Sequence, residues 1–188
     1  MKQPLNFAWR FMPCYKQRYI SAFPEDAQVI DLPHANLELP RDYFDEDDYQ
    51  CISSYEKVFN IEENITNKTV ILTFHGLMLR AKVYLNAAFL GEYISGYLPF
   101  SIDISGIAKQ DENRLVVIVD SQEDKTVPPF GGVVDYLAFG GIYREVEIDV
   151  KPHIYLERVF VDADHQGHLR IKPILNGNLT LKYELSHK

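Results

Sequence analysis

Hydrophobic and polar residues alternate with a period of two along several short segments of this chain. In segment 79–85 every second residue is apolar, starting at Leu79, and the residues between are Arg80, Lys82 and Tyr84. Successive side chains of a strand point to opposite faces, so this pattern predicts a strand with one buried face. Alternation, or a run of apolar and β-branched residues, also predicts strands at 69–74, 113–120, 142–150, 154–163 and 179–186.

The segments between these predicted strands are rich in Gly, Pro, Asn and Asp, and no stretch of a dozen residues has a helical period. Together these features predict an antiparallel β-sandwich, since a parallel α/β fold needs helices between its strands. The sequence NAAFLGEY after Leu85 predicts a hairpin, because Asn86 tolerates a left-handed backbone.

A domain boundary is predicted near Lys151–Pro152. The residues before it suffice for one sandwich, and 153–188 provide about three strands joined by DHQGH and NGN. Three strands with one apolar face form at best part of a sandwich. We therefore expect a second β domain that has been cut short. The alternative is a small sheet that completes the first domain.

Composition narrows the classes of partner. The chain has 19 basic and 27 acidic residues and a net charge of −8, which disfavours nucleic acid and anionic lipid as partners. Aromatic residues make up 13 %, which suits a β-rich core or a surface that stacks on sugar rings. No apolar run is long enough to span a membrane, and MKQPLNFAWRF is not a signal peptide. We expect a cytoplasmic protein, although an exported protein without its leader has the same pattern.

No cofactor or metal is expected. Cys14 and Cys51 do not form a disulfide framework and are predicted to be free buried thiols. His165 and His168 fall in a predicted turn, so their spacing does not indicate zinc. The four consecutive acids at 45–48 predict a solvated loop because of their mutual repulsion, with a calcium site as the alternative.

The order of several motifs is more specific than any one of them. The series is LNFAWRF at 5–11, VIDLPH at 29–34, YEKVFNI at 55–61, VYLN at 83–86, GYLPF at 96–100, FGGIYREVEI at 139–148 and HIYLERVFV at 153–161. In this order the motifs resemble the N-terminal sugar-binding domain of glycoside hydrolase family 2, the β-galactosidase and β-glucuronidase family. The resemblance covers nearly the whole chain.

The resemblance implies a jelly-roll, galactose-binding-domain-like β-sandwich over 1–152, followed at 153–188 by the first strands of a truncated immunoglobulin-like sandwich. It also implies a TIM-barrel domain that is missing from this chain and carries two catalytic glutamates, one of which follows an asparagine. This chain contains no Asn-Glu dipeptide, so we expect it to hold no catalytic residue. A second departure is Asn86-Ala87, where the family hairpin usually has Asn-Gly. Because alanine disfavours positive φ, we expect a turn of different type or length.

Asp135 is the main candidate for substrate binding. The resemblance places an acid six residues before the second glycine of the GGIYR strand, here Gly141, and implies that it reaches the barrel mouth and binds sugar hydroxyls. An ionised carboxylate accepts charge-assisted hydrogen bonds from two adjacent hydroxyls. Gly140 and Gly141 would let the chain turn sharply between loop and strand. The alternative is an acid that simply faces solvent.

Aromatic residues flank this acid. Tyr136 is the second substrate-binding candidate. With Phe130 and Phe139 it either lines an aromatic platform or packs the loop onto the barrel, and packing is favoured for Phe139. Arg144 and His34 are interpreted as structural, the latter near a domain junction.

Three functions remain open at this point. The first is an accessory domain of an exo-acting, β-galactosidase-like enzyme, in which the domain supports the barrel and lends Asp135 to a β-linked glycoside; the parent enzyme could be a homo-oligomer. The second is an autonomous carbohydrate-binding module, although one carboxylate loop alone buries too little of a sugar for saturable binding. The third is a structural domain for oligomer contacts. Which sugar is bound does not follow from these residues.

Overall fold

The structure is a computed structural model that describes residues 2–37, 50–94, 96–128, 139–178 and 180–182. In chain order the strands are β1 Lys2–Pro4, β2 Trp9–Met12, β3 Gln28–Ile30, β4 Ile52–Phe59, β5 Lys68–Phe74, β6 Arg80–Leu85, β7 Ala88–Ile94, β8 Phe100–Asp103, β9 Asn113–Asp120, β10 Val146–Pro152, β11 Leu156–Ala163 and β12 Leu169–Leu175. A 3₁₀ helix at Gln17–Ile20 lies between β2 and β3.

The described strands form two larger antiparallel sheets and a separate hairpin. One sheet has the strand order β3-β2-β4-β9-β6-β7, the other has the order β1-β10-β5-β8, and β11 pairs with β12. The two larger sheets enclose a common core, and the domain is a jelly-roll β-sandwich, as the resemblance implied. Strands that are neighbours in a sheet but distant in sequence, such as β4 and β9, give the sandwich its non-local connections.

The core takes one face from each sheet. Val83 and Val117 of the first sheet and Leu72 and Ile148 of the second are fully buried in one apolar cluster with Trp9. Complete burial of each such side chain contributes about 1.5–3 kcal/mol. The alternation predicted for segment 79–85 is confirmed, because Ala81, Val83 and Leu85 have no exposed surface.

The outer face of the six-stranded sheet is covered by the chain around the 3₁₀ helix. Glu56 is buried there between two guanidinium groups, with Arg10 Nη1 at 2.6 Å and Arg114 Nε at 2.5 Å. Arg114 also donates to the carbonyl of Tyr19. Removing one partner of such a buried ion pair costs about 3–5 kcal/mol, so this cluster anchors the covering segment to the sheet.

Two expectations need correction. The strand predicted to begin at Ile142 begins at Val146, because residues before it bond to irregular segments; for example, the His34 amide donates to the Ile142 carbonyl. The predicted change of hairpin type is wrong. β6 and β7 are joined by two residues, Asn86 and Ala87, whose φ angles of 51° and 68° are both positive, as in a type I′ turn.

The turn keeps this form because the Asn86 side chain is held on several sides. Its Nδ2 donates to the Ile107 carbonyl at 3.1 Å, and its Oδ1 accepts from the Arg114 amide at 3.0 Å. The pairing of Leu85 with Ala88 leaves no room for a longer connection. Ala87 therefore adopts the left-handed conformation despite its Cβ.

The β11–β12 hairpin differs from the sandwich. Every residue of β11 is exposed, whereas β10 alternates between buried and partly exposed residues. The predicted boundary near Lys151–Pro152 and the division into two domains stay predictions. The strand predicted at 179–186 lies mostly outside the described residues.

Candidate functional site

Asp135 and Tyr136, the two predicted substrate-binding residues, lie outside the described residues, as does Phe130. The structure does describe the chain up to Pro128 and again from Phe139. The residues that hold these two ends form the candidate functional site. We call them the base of segment 129–138, and they are Asn36, Met78, Ser121, Gly140 and Gly141.

Gly140 lies in a space that has no room for a side chain. A Cβ at this position would overlap the Ser121 side chain and would lie 2.6 Å from Asn36 Nδ2. The Gly140 carbonyl accepts a hydrogen bond from the Asn36 amide at 2.9 Å. The predicted role of this glycine was a sharp turn, but the structure gives a different physical reason, which is the close approach of three chain segments.

Gly141 satisfies a backbone requirement as well as a steric one. Its φ is +114°, and a Cβ would lie 2.6 Å from the His34 carbonyl oxygen and 2.8 Å from the Tyr55 hydroxyl. Its amide donates to the Met78 carbonyl at 3.1 Å, and the Met78 amide donates back at 3.0 Å. These paired bonds fix the C-terminal end of segment 129–138 to the chain just before β6.

Two buried polar side chains complete the base. Asn36 and Ser121 are only 4 % and 5 % exposed. Asn36 Nδ2 donates to Ser121 Oγ and to Cys51 Sγ, each at 3.2 Å, and Ser121 Oγ donates to the Met78 carbonyl at 3.2 Å. Hydrogen bonds between buried polar groups are strengthened by the low local dielectric, so this network holds Asn36, Ser121 and Met78 together.

His34 and Tyr55 lie behind the base. His34 Nδ1 is 3.1 Å from the Tyr55 hydroxyl, and the ring of Phe11 packs against both, with centroids 4.6 and 4.9 Å away. Burial raises the pKa of Tyr55, so its hydroxyl stays protonated at physiological pH. Burial also raises the pKa of Cys51, which therefore remains a neutral thiol and not a nucleophile. These contacts are those of packed structural residues, as predicted for His34.

The N-terminal end of segment 129–138 is fixed by a turn. Asp124 Oδ1 accepts from the amide and the hydroxyl of Thr126 at 2.8 and 2.6 Å, and Arg80 Nη2 lies 2.6 Å from Asp124 Oδ2. The Thr126 bonds, helped by Arg80, hold the pKa of Asp124 below its usual value. Further along, Pro128 runs so close to Gly96 that a Cβ on Gly96 would lie 2.9 Å from the Pro128 oxygen.

Arg144, which was interpreted as structural, packs against neighbouring residues. Its guanidinium lies 5.9 Å from the centre of the Tyr143 ring, and its stem packs over Gly76. Tyr143 in turn donates its hydroxyl to the Gly96 carbonyl at 2.5 Å. Both residues therefore support the chain around Gly96, next to Pro128.

Within the described ranges no group of three or more His, Cys, Asp or Glu side chains could hold a metal ion. The acids at 45–48 lie outside those ranges. Nor does any helix in the described part of the chain have the length and apolar character needed to cross a bilayer.

Sequence reasoning missed Asn36 and Ser121. The two are 85 residues apart in the chain. Ser121 follows a strand and Asn36 follows the VIDLPH motif, and polar residues are common in both kinds of position. No local pattern marks them as partners.

The family model described as "Glycosyl hydrolases family 2, sugar binding domain" matches residues 32–152, which include every residue of the base. The chain belongs to this family. The resemblance drawn from the motif order is thus confirmed, and the base belongs to a family 2 sugar-binding domain.

Two curated relatives are β-galactosidases. The protein from Thermoanaerobacterium thermosulfurigenes is 35 % identical over 198 residues, and the match covers 98 % of this chain and 28 % of that protein. The protein from Thermoanaerobacter pseudethanolicus is 40 % identical over 163 residues, covering 85 % of this chain and 22 % of that protein. This chain therefore spans about a quarter of the length of these relatives.

Solved structures share the fold. A β-glucuronidase from an uncultured Clostridium superposes with a TM-score of 0.79 at 23 % identity, covering 94 % of this chain and 34 % of that one. A β-glucuronidase from Ruminococcus gnavus superposes with a TM-score of 0.81 at 21 % identity, covering 95 % and 33 %.

Proposed function

We propose that this chain is the N-terminal sugar-binding domain of a retaining exo-β-glycosidase of the β-galactosidase type. It supports a catalytic barrel and lends Asp135 to the substrate, and the catalytic glutamates lie elsewhere in the parent protein. Membership of family 2 supports this proposal, as do the two β-galactosidase relatives, of which the match covers only 28 % and 22 %. β-Galactoside is favoured over β-glucuronide because both of these relatives are β-galactosidases.

The observation that carries the proposal is the base. Gly140 and Gly141, which admit no side chain, and the buried Asn36–Ser121 hydrogen bond hold the chain after segment 129–138, and the Asp124–Thr126 turn holds the chain before it. A contact that must be held to a substrate within a fraction of an ångström needs such a rigid support. Asp135 is six residues before Gly141, close in sequence to that support.

We expect Asp135→Ala in the full-length enzyme to lower kcat/KM for p-nitrophenyl β-galactoside about 100-fold or more. The reason is the loss of two charge-assisted hydrogen bonds, each worth about 1.5–3 kcal/mol. Steady-state kinetics measures the effect. Asp111→Ala, which removes an exposed acid elsewhere on the domain, is the matched control and should leave kcat/KM unchanged.

The same assay separates the domain from the enzyme. The 188-residue chain by itself should release no p-nitrophenol, because retaining hydrolysis needs two carboxyl groups about 5–5.5 Å apart. Near-normal activity of the Asp135→Ala enzyme would remove the substrate role of Asp135. Hydrolysis by the 188-residue chain would contradict the proposal that the catalytic residues lie in another domain.

We also propose that 153–188 open a second, immunoglobulin-like β-sandwich. One side of the β11–β12 hairpin supports this proposal. Its cross-strand pairs Val159–Pro173, Val161–Ile171 and Ala163–Leu169 place apolar residues together on one face. Several of these side chains are exposed in the structure, including Val161 at 62 %. A face of this composition is typical of the inner side of a sandwich.

A further inference from the structure

A second candidate binding site lies on the outer face of the six-stranded sheet. Six residues that line it define what we call the outer groove, and they are Tyr15, Arg80, Lys82, Tyr84, Glu92 and Ile118. The three β6 residues alternate with the buried Ala81, Val83 and Leu85, so the groove faces away from the core. β10 belongs to the other sheet, and Arg80 of the groove also pairs with Asp124 in the turn described above.

The groove combines an apolar floor with polar walls. Ile118 is 5 % exposed and forms part of the floor. The Tyr84 ring packs against Phe89 with centroids 5.2 Å apart, which restricts its movement. Burial raises the pKa of Tyr84, and Tyr15 and Glu92 nearby raise it further. The Tyr84 hydroxyl therefore stays protonated at neutral pH and can both donate and accept.

Arg80 is fixed at one end of the groove. Its Nη2 lies 2.6 Å from Asp124 Oδ2, and its Nε lies 3.8 Å from Glu92 Oε1. Because two carboxylates share this guanidinium, its charge is already compensated. A rigid, neutralised cation presents N–H donors without attracting an anion.

Lys82 differs from Arg80. It is exposed, and its ammonium has no ion-pair partner among the described residues. It lies opposite Glu92 in the β6–β7 register. The groove thus offers an available ammonium donor and a carboxylate acceptor on neighbouring strands.

These features match a sugar ring better than other small ligands. A pyranose presents an apolar C–H face and adjacent hydroxyls that both donate and accept, and Tyr, Glu, Lys and Arg side chains provide the complementary groups. The groove has a volume of about 210 Å³. This is below the roughly 300–1,000 Å³ of sites for larger ligands, so it suits a single ring. Arg80 and Lys82 lie near three carboxylates, those of Glu92, Asp120 and Asp124, which disfavours an anionic sugar.

We propose that the outer groove binds one neutral pyranose unit of a carbohydrate, separately from any contact made by Asp135. One partly buried ring gives weak affinity, with Kd on the order of 1 mM. In the parent enzyme such a site would hold part of a longer saccharide next to the domain. It would then act as an anchor and not as a reacting subsite.

The experiment is a titration of the protein with methyl β-D-galactopyranoside and methyl β-D-glucopyranoside, followed by ¹H–¹⁵N NMR. We expect saturable shifts at the amides of Lys82, Tyr84 and Glu92. Lys82→Ala and Tyr84→Phe should each weaken binding about tenfold, since each removes one hydrogen-bonding group and leaves the fold intact. Lys172→Ala, which removes an exposed lysine of β12, should not change the affinity.

Other results would overturn the proposal. Unchanged affinity in both groove variants would do so, as would an absence of saturable shifts. Tighter binding of glucuronate than of the neutral pyranosides would contradict the charge argument. The variant Asp135→Asn should bind the pyranosides as the native protein does. A loss of binding in that variant would place the ligand at segment 129–138 and not in the groove.

Discussion

Gly140 should be among the least replaceable single residues of the domain. In Gly140→Ala the new methyl group would overlap the Ser121 side chain, so 121 and 140 must move apart and the hydrogen bond between Asn36 and Ser121 must stretch. We expect the free energy of unfolding to fall by about 2–3 kcal/mol, as for other overpacked sites. Urea unfolding followed by fluorescence measures it.

Gly106→Ala is the matched control for this substitution. A Cβ at Gly106 meets no atom within 4 Å, so Gly106→Ala should leave the stability unchanged or raise it by about 0.4–1 kcal/mol. Any gain would come from the lower conformational entropy of the unfolded chain. Equal stabilities for the two alanine variants would show that the base tolerates a side chain and is not the tight junction described above.

Only the two glycines of the base could be recognised from the sequence. The Gly140-Gly141 pair before a regular strand stands out locally, and in the structure both glycines lie against other chain segments. Its partners did not stand out, because Asn36 and Ser121 are brought together only by the pairing of strands far apart in sequence. A close approach between distant segments leaves no local periodicity to detect.

The β6–β7 hairpin carries a strain that one substitution can relieve. Ala87 has a φ of 68°, which costs an L-residue roughly 1–2 kcal/mol, and glycine adopts it freely. After allowing for the greater freedom of glycine in the unfolded chain, we expect Ala87→Gly to stabilise the protein by about 1 kcal/mol. The measurement is the shift in thermal midpoint.

The neighbouring residue, Ala88, tests whether the effect of glycine on stability depends on its position in the hairpin. Ala88 begins β7, and Ala88→Gly should destabilise by about 0.5–1 kcal/mol. If Ala87→Gly also lowered the thermal midpoint, the type I′ geometry of this turn would be wrong.

Strand length alone did not decide which strands were predicted, since β4 has eight residues and was not among the predicted strands. β6 was predicted within a residue from its alternation, and β9 was predicted from its continuous apolar run. β1 and β3 have three residues each and were not predicted, since alternation cannot be recognised over so few positions. β10 was predicted to begin too early because the irregular residues before it, such as Ile142, are also apolar and buried.

The chain as a whole is a closed sandwich with an open hairpin attached. If 153–188 begin a second sandwich, the apolar face of β11–β12 is covered in the full-length protein and bare in the 188-residue chain. Val161→Lys should then leave the stability of the 188-residue chain nearly unchanged, because Val161 is already 62 % exposed. In the full-length protein the same lysine would be buried without a partner, and the second domain should lose about 3 kcal/mol or more.

Phe160→Lys supplies the comparison, because Phe160 pairs with Lys172 on the opposite face of the hairpin. That variant should be tolerated at both chain lengths, which separates burial of one face from a general intolerance of β11 to charge. Unfolding of the four proteins, followed by circular dichroism, gives the free energies. A penalty for Val161→Lys that is the same at both lengths would mean that nothing covers this face, and the hairpin would then be an appendage of the first domain. A penalty confined to the longer protein requires that the residues after 188 pack against β11, because mutation of an exposed side chain cannot otherwise depend on chain length.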